Sequence, residues 1–124
     1  MAGELVLIVE DNETSMKLFR DVLMATGYST LEATTGEDAV SLALSHTPAL
    51  VLMDVQLPGI DGVEALVRLR RDARTETIPV LALTAQAMHG DRERFLEAGF
   101  DGYLSKPLDV AELLRTVEQY CGRE

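Results

Sequence analysis

The chain has 124 residues, 47% of them hydrophobic and 26% charged, with a formal net charge of −10. This length fits one domain, and this balance excludes a wholly disordered chain. The acidic excess disfavours direct binding to nucleic acid or to an anionic membrane, because phosphate groups would repel the protein.

The chain alternates between short apolar runs, which are typical of buried strands, and stretches with helical periodicity. The predicted strands are Leu5–Val9, Tyr28–Ala33, Ala49–Met53, Ile78–Leu83 and Gly102–Leu104. The predicted helices are Thr14–Thr26 (with Gly27 as its stop), Thr34–His46, Gly62–Arg71, Met88–Ala98 and Asp109–Tyr120, with Asp109 as N-cap. Five strand–helix units predict a doubly wound α/β fold with a five-stranded parallel sheet. The first, third and fourth strands are the most apolar and are expected in the centre, which gives the strand order 2-1-3-4-5.

Polar residues follow the predicted strands at the point where each strand ends. Glu10 and Asp11 follow the first strand, and Asp54 follows the third. The fourth strand ends in Thr84, and Lys106 follows the fifth. Because the carboxyl ends of parallel strands meet at one edge of the sheet, we expect these side chains to lie together.

Three carboxylates in one place repel one another, which favours a bound divalent cation. Oxygen ligands suit Mg²⁺, with Mn²⁺ as a second choice. The Asp54 carboxylate could then attack a phosphoryl group, with Lys106 and Thr84 on the phosphoryl oxygens. Each residue alone has a plainer interpretation. Asp54 could be a turn former, Glu10 and Asp11 could stabilise a helix start, Thr84 could pack in the sheet, and Lys106 could be a surface charge.

The remaining features give weaker indications. The histidines lack zinc-ligand spacing, the single cysteine belongs to no CxxC motif, and there is no glycine-rich nucleotide loop. The longest apolar runs have five residues, and no signal peptide is visible, so we expect a cytoplasmic protein without a membrane span. Core positions are predicted for Met16, Met24, Met53 and Met88. The exposed end of the third helix is predicted to hold Arg68, Arg70, Arg71 and Arg74.

Four motifs in this order resemble the receiver domain of two-component response regulators, within the CheY-like superfamily of flavodoxin-like topology. They are Leu7–Asn12, Leu52–Gly62, Leu83–Ala85 and Tyr103–Pro107. The resemblance covers the whole chain and implies one receiver domain over residues 1–124, without an output domain. Val9–Asn12 and Thr84–Met88 also resemble stand-alone receivers of the DivK type and the receivers of hybrid kinases.

This resemblance implies that Asp54 accepts a phosphoryl group from a phosphohistidine. The donor would be a sensor histidine kinase or a histidine phosphotransfer protein. Mg²⁺ would be held by Asp11, Asp54 and the backbone carbonyl of Gln56, with Glu10 acting through water.

The resemblance also implies a switch. Thr84 and Lys106 would contact the phosphoryl oxygens, with the Lys106–Pro107 peptide bond in cis. Tyr103 would be the switch aromatic that moves inward when Thr84 turns towards the phosphate, although ordinary packing of Tyr103 is the plainer alternative. The surface of the fourth helix, fifth strand and fifth helix would then bind a downstream protein.

A signalling switch is expected rather than an enzyme, so that the chain catalyses only its own phosphorylation and slow dephosphorylation. An aspartate-nucleophile phosphohydrolase generally needs a second acid where this chain has Gln56. A flavin-binding electron carrier needs a phosphate-cradling first loop, and Glu10 and Asp11 would repel that phosphate. A degenerate receiver that serves only for docking would lack one of the acids or Lys106, and all are present.

Overall fold

The structure, a computed structural model, describes residues 4–57, 59–84, 91–105 and 109–121, the side chains at positions 91, 92 and 95 excepted. The strands are β1 (Leu5–Val9), β2 (Ser29–Ala33), β3 (Leu50–Asp54), β4 (Val80–Thr84) and β5 (Gly102–Ser105). The helices are α1 (Glu13–Ala25), α2 (Gly36–His46), α3 (Gly62–Arg70), α4 (Asp91–Ala98) and α5 (Val110–Cys121). The predicted bounds are confirmed to within one or two residues, except that the expected start of α4 at Met88 lies outside the described residues.

The five strands form one parallel sheet in the order β2-β1-β3-β4-β5, which confirms the predicted fold class and strand order. The central strands β3 and β4 are buried at every position. Strand β2 lies at an edge of the sheet and exposes Ser29 and Glu32. Apolar content therefore decided which strands are central, because a central strand of a parallel sheet is covered by helices on both faces.

Two apolar clusters cover the two faces of the sheet. Successive strand side chains point to opposite faces, so each central strand contributes to both clusters. The first cluster joins Leu7, Val9, Val51, Met53, Val80 and Ala82 to Ala39, Ala43, Ala65, Leu66 and Leu69 of α2 and α3. The second joins Val6, Ile8, Leu50, Leu52, Leu81 and Leu83 to Phe19, Leu23, Leu113 and Val117 of α1 and α5. Each fully buried leucine in them contributes about 2 kcal/mol of transfer free energy.

Short polar side chains cap the helices at the carboxyl edge of the sheet. Each cap oxygen accepts a hydrogen bond from a backbone N–H in the first helical turn, which satisfies a donor that the helix itself leaves unpaired. The donor–acceptor pairs are Ser15 N to Asn12 Oδ1 (3.0 Å), Asp38 N to Thr35 Oγ1 (3.1 Å), Glu64 N to Asp61 Oδ1 (2.9 Å) and Glu112 N to Asp109 Oδ1 (3.1 Å). The predicted N-cap Asp109 is confirmed. Gly27, at φ +96°, ends α1 as expected.

Two expectations about side-chain burial are wrong. Met16 and Met53 are buried, whereas Met24 is 56% exposed near the end of α1, and Met88 lies outside the described residues. Arg70 was expected on the exposed end of α3, yet its side chain is only 26% exposed. Both errors have one cause, because position along a helix does not show which neighbouring element covers that face.

Arg70 forms a clamp at the amino edge of the sheet. Its guanidinium donates hydrogen bonds to the carbonyl oxygens of Ile78 (2.7 Å) and Gly99 (3.0 Å), and to Asp101 Oδ2 (2.8 Å). The same Asp101 oxygen accepts the backbone N–H of Val80 at 2.8 Å. The Arg70–Asp101 clamp therefore ties the end of α3 to the start of β4 and to the α4–β5 connection.

Among the described residues, no helix is long and apolar enough to cross a membrane.

Candidate functional site at the carboxyl edge

Three carboxylates meet at the carboxyl edge of the sheet. Strands β1 and β3 are neighbours, and Val9 aligns with Met53, so Glu10 and Asp54 lie at the same level. Asp11 follows Glu10 directly, and one ligand oxygen from each of the three residues lies within 4.8 Å of the others. Glu10 is 1% exposed and Asp54 is 6% exposed, while Asp11 is exposed. The structure thus brings together the three acids that the strand-end pattern predicted.

Backbone amides hold two of these carboxylates in place. The N–H of Asn12 donates to Glu10 Oε2 at 3.1 Å, and the N–H of Gln56 donates to Asp54 Oδ1 at 2.9 Å. Both donors lie two residues after the acid, so each carboxylate is oriented by the turn that follows its own strand.

The acidic cluster fits a hard divalent cation. Two unit charges 4.8 Å apart repel by about 1 kcal/mol in water and about 3 kcal/mol near a protein surface. A divalent cation removes this repulsion, and carboxylate oxygens are the ligands that Mg²⁺ prefers. Exposure of Asp11 leaves one side of the cluster open to water, which suits an ion that keeps several water ligands.

Thr84 and Tyr103 lie on one face of the sheet, near this edge. Thr84 is the last residue of β4 and is 3% exposed. Strand β5 aligns Ser105 with Thr84 and Tyr103 with Ala82, so the alternation of side chains places Thr84 and Tyr103 on the same face. Tyr103 is half-buried and packs against the first apolar cluster. The placement is compatible with both the predicted switch and ordinary packing.

Part of the predicted site lies outside the described residues. Lys106 follows Ser105, the last residue of β5. Both Lys106 and its expected cis bond to Pro107 lie outside the described residues. Gln56 is described and lies beside Asp54 through its N–H, while its backbone carbonyl as a metal ligand stays a prediction.

Gly62 and Asn12 support the site in ways that the sequence interpretation did not assign. A Cβ atom on Gly62 would lie 2.5 Å from the carbonyl oxygen of Asp54, so only glycine allows α3 to begin this close to β3. Nothing in the local sequence indicates that contact. Asn12 caps α1 and donates its backbone N–H to Glu10, and an asparagine before a helical stretch is the signal that could have identified it.

Comparison with known proteins identifies the class. The family model of the response regulator receiver domain matches residues 6–118, and the chain belongs to this family. It is therefore a CheY-like receiver of two-component signalling. Membership implies interaction with phosphodonor kinases and downstream targets in general, and receiver domains bind Mg²⁺ at an acidic pocket such as this one.

Individual relatives agree with this assignment. The chain is 47% identical over 117 residues to the polar-differentiation response regulator DivK of Brucella ovis, which covers 94% of this chain and 95% of DivK. A putative response regulator from Chloroflexus aurantiacus has a similar structure, with a TM-score of 0.91, 36% identity, and coverage of 98% of this chain and 99% of that one. The receiver domain of the sensor histidine kinase PA1611 from Pseudomonas aeruginosa is also similar, with a TM-score of 0.90, 37% identity, and coverage of 98% of this chain and 99% of that one. The structure of that domain has a magnesium ion coordinated in its active-site cleft.

Proposed function

We propose that this receiver accepts a phosphoryl group on Asp54 in a Mg²⁺-dependent reaction. The donor is the phosphohistidine of a sensor histidine kinase or of a histidine phosphotransfer protein. The proposal rests on one observation, the cluster of Glu10, Asp11 and Asp54, whose ligand oxygens lie within 4.8 Å of one another. Asp54 lies at the buried side of that cluster and Asp11 at its exposed side, so a phosphoryl group can approach from water.

The transfer is a displacement at phosphorus. An oxygen of Asp54 attacks, the phosphorus–nitrogen bond to the donor imidazole breaks, and a phosphorus–oxygen bond to the carboxylate forms. Mg²⁺ would supply positive charge there that offsets the negative charge of the phosphoryl oxygens. Asp11, Asp54 and the Gln56 carbonyl would hold the ion, and Glu10 would orient a water ligand. The N–H of Gln56 limits rotation of the Asp54 carboxylate, which keeps the nucleophile aligned.

Phosphorylation would bias a two-state switch. A phosphoryl group on Asp54 adds negative charge and strong acceptor oxygens beside the carboxyl end of β4. The Thr84 hydroxyl would turn towards it, together with the Lys106 ammonium, and Tyr103 would move inward on the same face. The surface of α4, β5 and α5 would then favour the form that binds a downstream protein, as a shift between two populations.

The chain is proposed to act on itself rather than as an enzyme on other substrates. Gln56 occupies the position where a phosphohydrolase would place its acid, and an amide cannot donate or take up the proton that such turnover requires.

Labelling with acetyl phosphate tests the acceptor. Intact-mass spectrometry should show one added phosphoryl group with Mg²⁺ and none after chelation. Asp54→Asn should abolish the label. The matched control is Asp61→Asn, since Asp61 follows in the same loop and asparagine preserves its cap on α3. Labelling of Asp54→Asn at the wild-type rate would refute the acceptor, and continuous phosphate release far above stoichiometry would favour a phosphohydrolase.

A second variant tests the switch separately. Thr84→Ala should still be labelled on Asp54, but the NMR signals of Tyr103 should no longer shift on phosphorylation. Equal shifts in wild type and Thr84→Ala would contradict the coupling and leave ordinary packing as the role of Tyr103.

A further inference from the structure

The loop between β3 and α3 carries Gln56, the carbonyl ligand of the proposed metal site. Backbone hydrogen bonds hold its two ends. The N–H of Val55 donates to the carbonyl of Leu83 at 3.1 Å, and the N–H of Gly62 donates to the carbonyl of Val55 at 3.2 Å. Gln56 itself is tied to Asp54. The later part of the loop, at Gly59 and Ile60, is held by a different helix.

The first turn of α2 grips this part of the loop from two sides. Glu37 Oε2 accepts the backbone N–H of Ile60 at 3.3 Å. A Cβ atom on Gly59 would lie 2.6 and 2.8 Å from the two Glu37 carboxylate oxygens, so the carboxylate rests directly against the Gly59 backbone. On the other side, a Cβ atom on Gly36 would lie 2.5 Å from Ile60 Cγ1 and 2.6 Å from the Ile60 carbonyl oxygen. We call this arrangement of Gly36, Glu37, Gly59 and Ile60 the α2 clasp.

Glu37 is itself exposed, and it is separated from Ile60 by 23 positions in the chain. The described partner of the Glu37 carboxylate is the backbone amide of Ile60, so Glu37 forms a hydrogen bond there and not a salt bridge. Its neighbour Asp38 is equally exposed in the same helical turn, and its described hydrogen bond runs through its own backbone N–H to the cap Thr35. The two acids therefore differ in one respect, which is that Glu37 contacts the loop with its side chain.

We propose that Glu37 is a positioning residue for the metal site, which acts by holding the β3–α3 loop in the conformation that offers the Gln56 carbonyl as a ligand. This inference rests on the proposed function. Without the clasp, the loop populates more conformations, and metal binding must first select the competent one. The apparent affinity for Mg²⁺ then falls in proportion to the fraction of molecules whose loop has the competent conformation. The rate of phosphorylation at saturating Mg²⁺ is unchanged.

Magnesium titration by calorimetry tests the clasp on the intact chain. Glu37→Ala should weaken Mg²⁺ binding by roughly threefold to tenfold, which is at or below the roughly 10–100-fold that partners in direct contact with metal ligands contribute. Asp38→Ala, the matched control, loses the same charge from the same helix start and should bind within about twofold of wild type. Glu37→Gln keeps an acceptor oxygen and should recover most of the affinity.

Three further measurements separate positioning from general stability. Hydrogen exchange of the Ile60 amide, measured without metal, should be faster in Glu37→Ala than in Asp38→Ala. In acetyl phosphate labelling, Glu37→Ala should raise the half-saturating Mg²⁺ concentration and keep the maximal rate. The melting temperature should fall only slightly further in Glu37→Ala, which alone loses the bond to Ile60, so both alanine variants stay folded under the conditions of the titration.

The outcomes distinguish the two proposals. Wild-type chain that takes up no Mg²⁺ would refute the proposed function. Wild-type chain that binds Mg²⁺, with Glu37→Ala and Asp38→Ala indistinguishable in affinity and in Ile60 exchange, would overturn the clasp alone. If Glu37→Ala fails to fold, Glu37→Gln with unprotected Ile60 and unchanged Mg²⁺ affinity would overturn it as well.

Discussion

Arg70→Met tests the clamp at the amino edge of the sheet. The substitution keeps a long apolar stem that can still pack against α3 and its neighbours, and it removes every donor of the guanidinium. Arg70 donates to Ile78 O at 2.7 Å, Gly99 O at 3.0 Å, Asp101 Oδ2 at 2.8 Å and Glu76 O at 3.2 Å. The variant therefore leaves carbonyl groups at the start of β4 and in the α4–β5 connection without this donor.

The expected loss can be worked out bond by bond. The two part-buried bonds to Ile78 O and Gly99 O contribute about 1 kcal/mol each. The ion pair has side chains 26% and 40% exposed for Arg70 and Asp101, so solvent screening limits it to about 0.5–1 kcal/mol. The exposed bond to Glu76 adds little. The free energy of unfolding should fall by about 3 kcal/mol, which corresponds to a melting temperature lower by roughly 10 °C.

Urea unfolding followed by far-UV circular dichroism measures this loss. The matched control is Arg68→Met, which lies on the same helix and removes an i,i+4 pair with Glu64 in which both side chains are 46% exposed. That pair should contribute about 0.3–0.5 kcal/mol. Equal free energies of unfolding for the two variants would refute the assignment of Arg70 as a clamp. Since the clamp lies at the edge opposite the acidic cluster, Mg²⁺ affinity of the folded variant should stay within about twofold of wild type.

Three further predictions concern charge and close packing. Asp11→Asn removes two of the three pairwise repulsions in the cluster, so the free energy of unfolding of the metal-free protein should rise by about 1–2 kcal/mol. Its melting temperature should no longer rise with Mg²⁺, and a rise as large as that of wild type would contradict the site. Hydrogen bonds from the Arg74 guanidinium and then its backbone N–H lower the pKa of Asp72 from 3.8 to about 2. The Asp72–Arg74 pair therefore stabilises the fold above pH ~4, and this stabilisation is lost as the pH falls through about 2. Arg74→Ala should return the pKa of Asp72 towards 3.8 in an NMR titration, and an unchanged pKa would refute the guanidinium as the cause of the shift. Gly62→Ala places a Cβ atom 2.5 Å from the Asp54 carbonyl oxygen, so it should lower both the free energy of unfolding and the rate of acetyl phosphate labelling. Labelling at the wild-type rate would show that α3 can shift away from β3 without disturbing Asp54.

Local patterns in the sequence determined the fold and the acidic cluster. Buried strands of a parallel sheet are apolar along almost their whole length, so β1, β3 and β4 could be recognised as central from their residue types alone. Parallel strands also end at a common edge, so residues far apart in the chain could be placed together from the ends of those strands alone. Glu10, Asp11 and Asp54 were found in this way, and their meeting within 4.8 Å confirms that part of the reasoning.

Only the tertiary structure decided the contacts that hold this edge and the opposite one in place. Arg70 and Gly99 are separated by 29 positions, and Glu37 and Ile60 by 23, and in each pair one partner of the hydrogen bond is a backbone group. Backbone amides and carbonyls are the same at every residue, so no residue type marks the position of such a partner. Met24 shows the same limit for apolar side chains, since its exposure depends on which element covers the end of α1. Periodicity and strand-end chemistry are properties of a segment, whereas a clamp, a clasp or a covered face exists only once distant segments have packed.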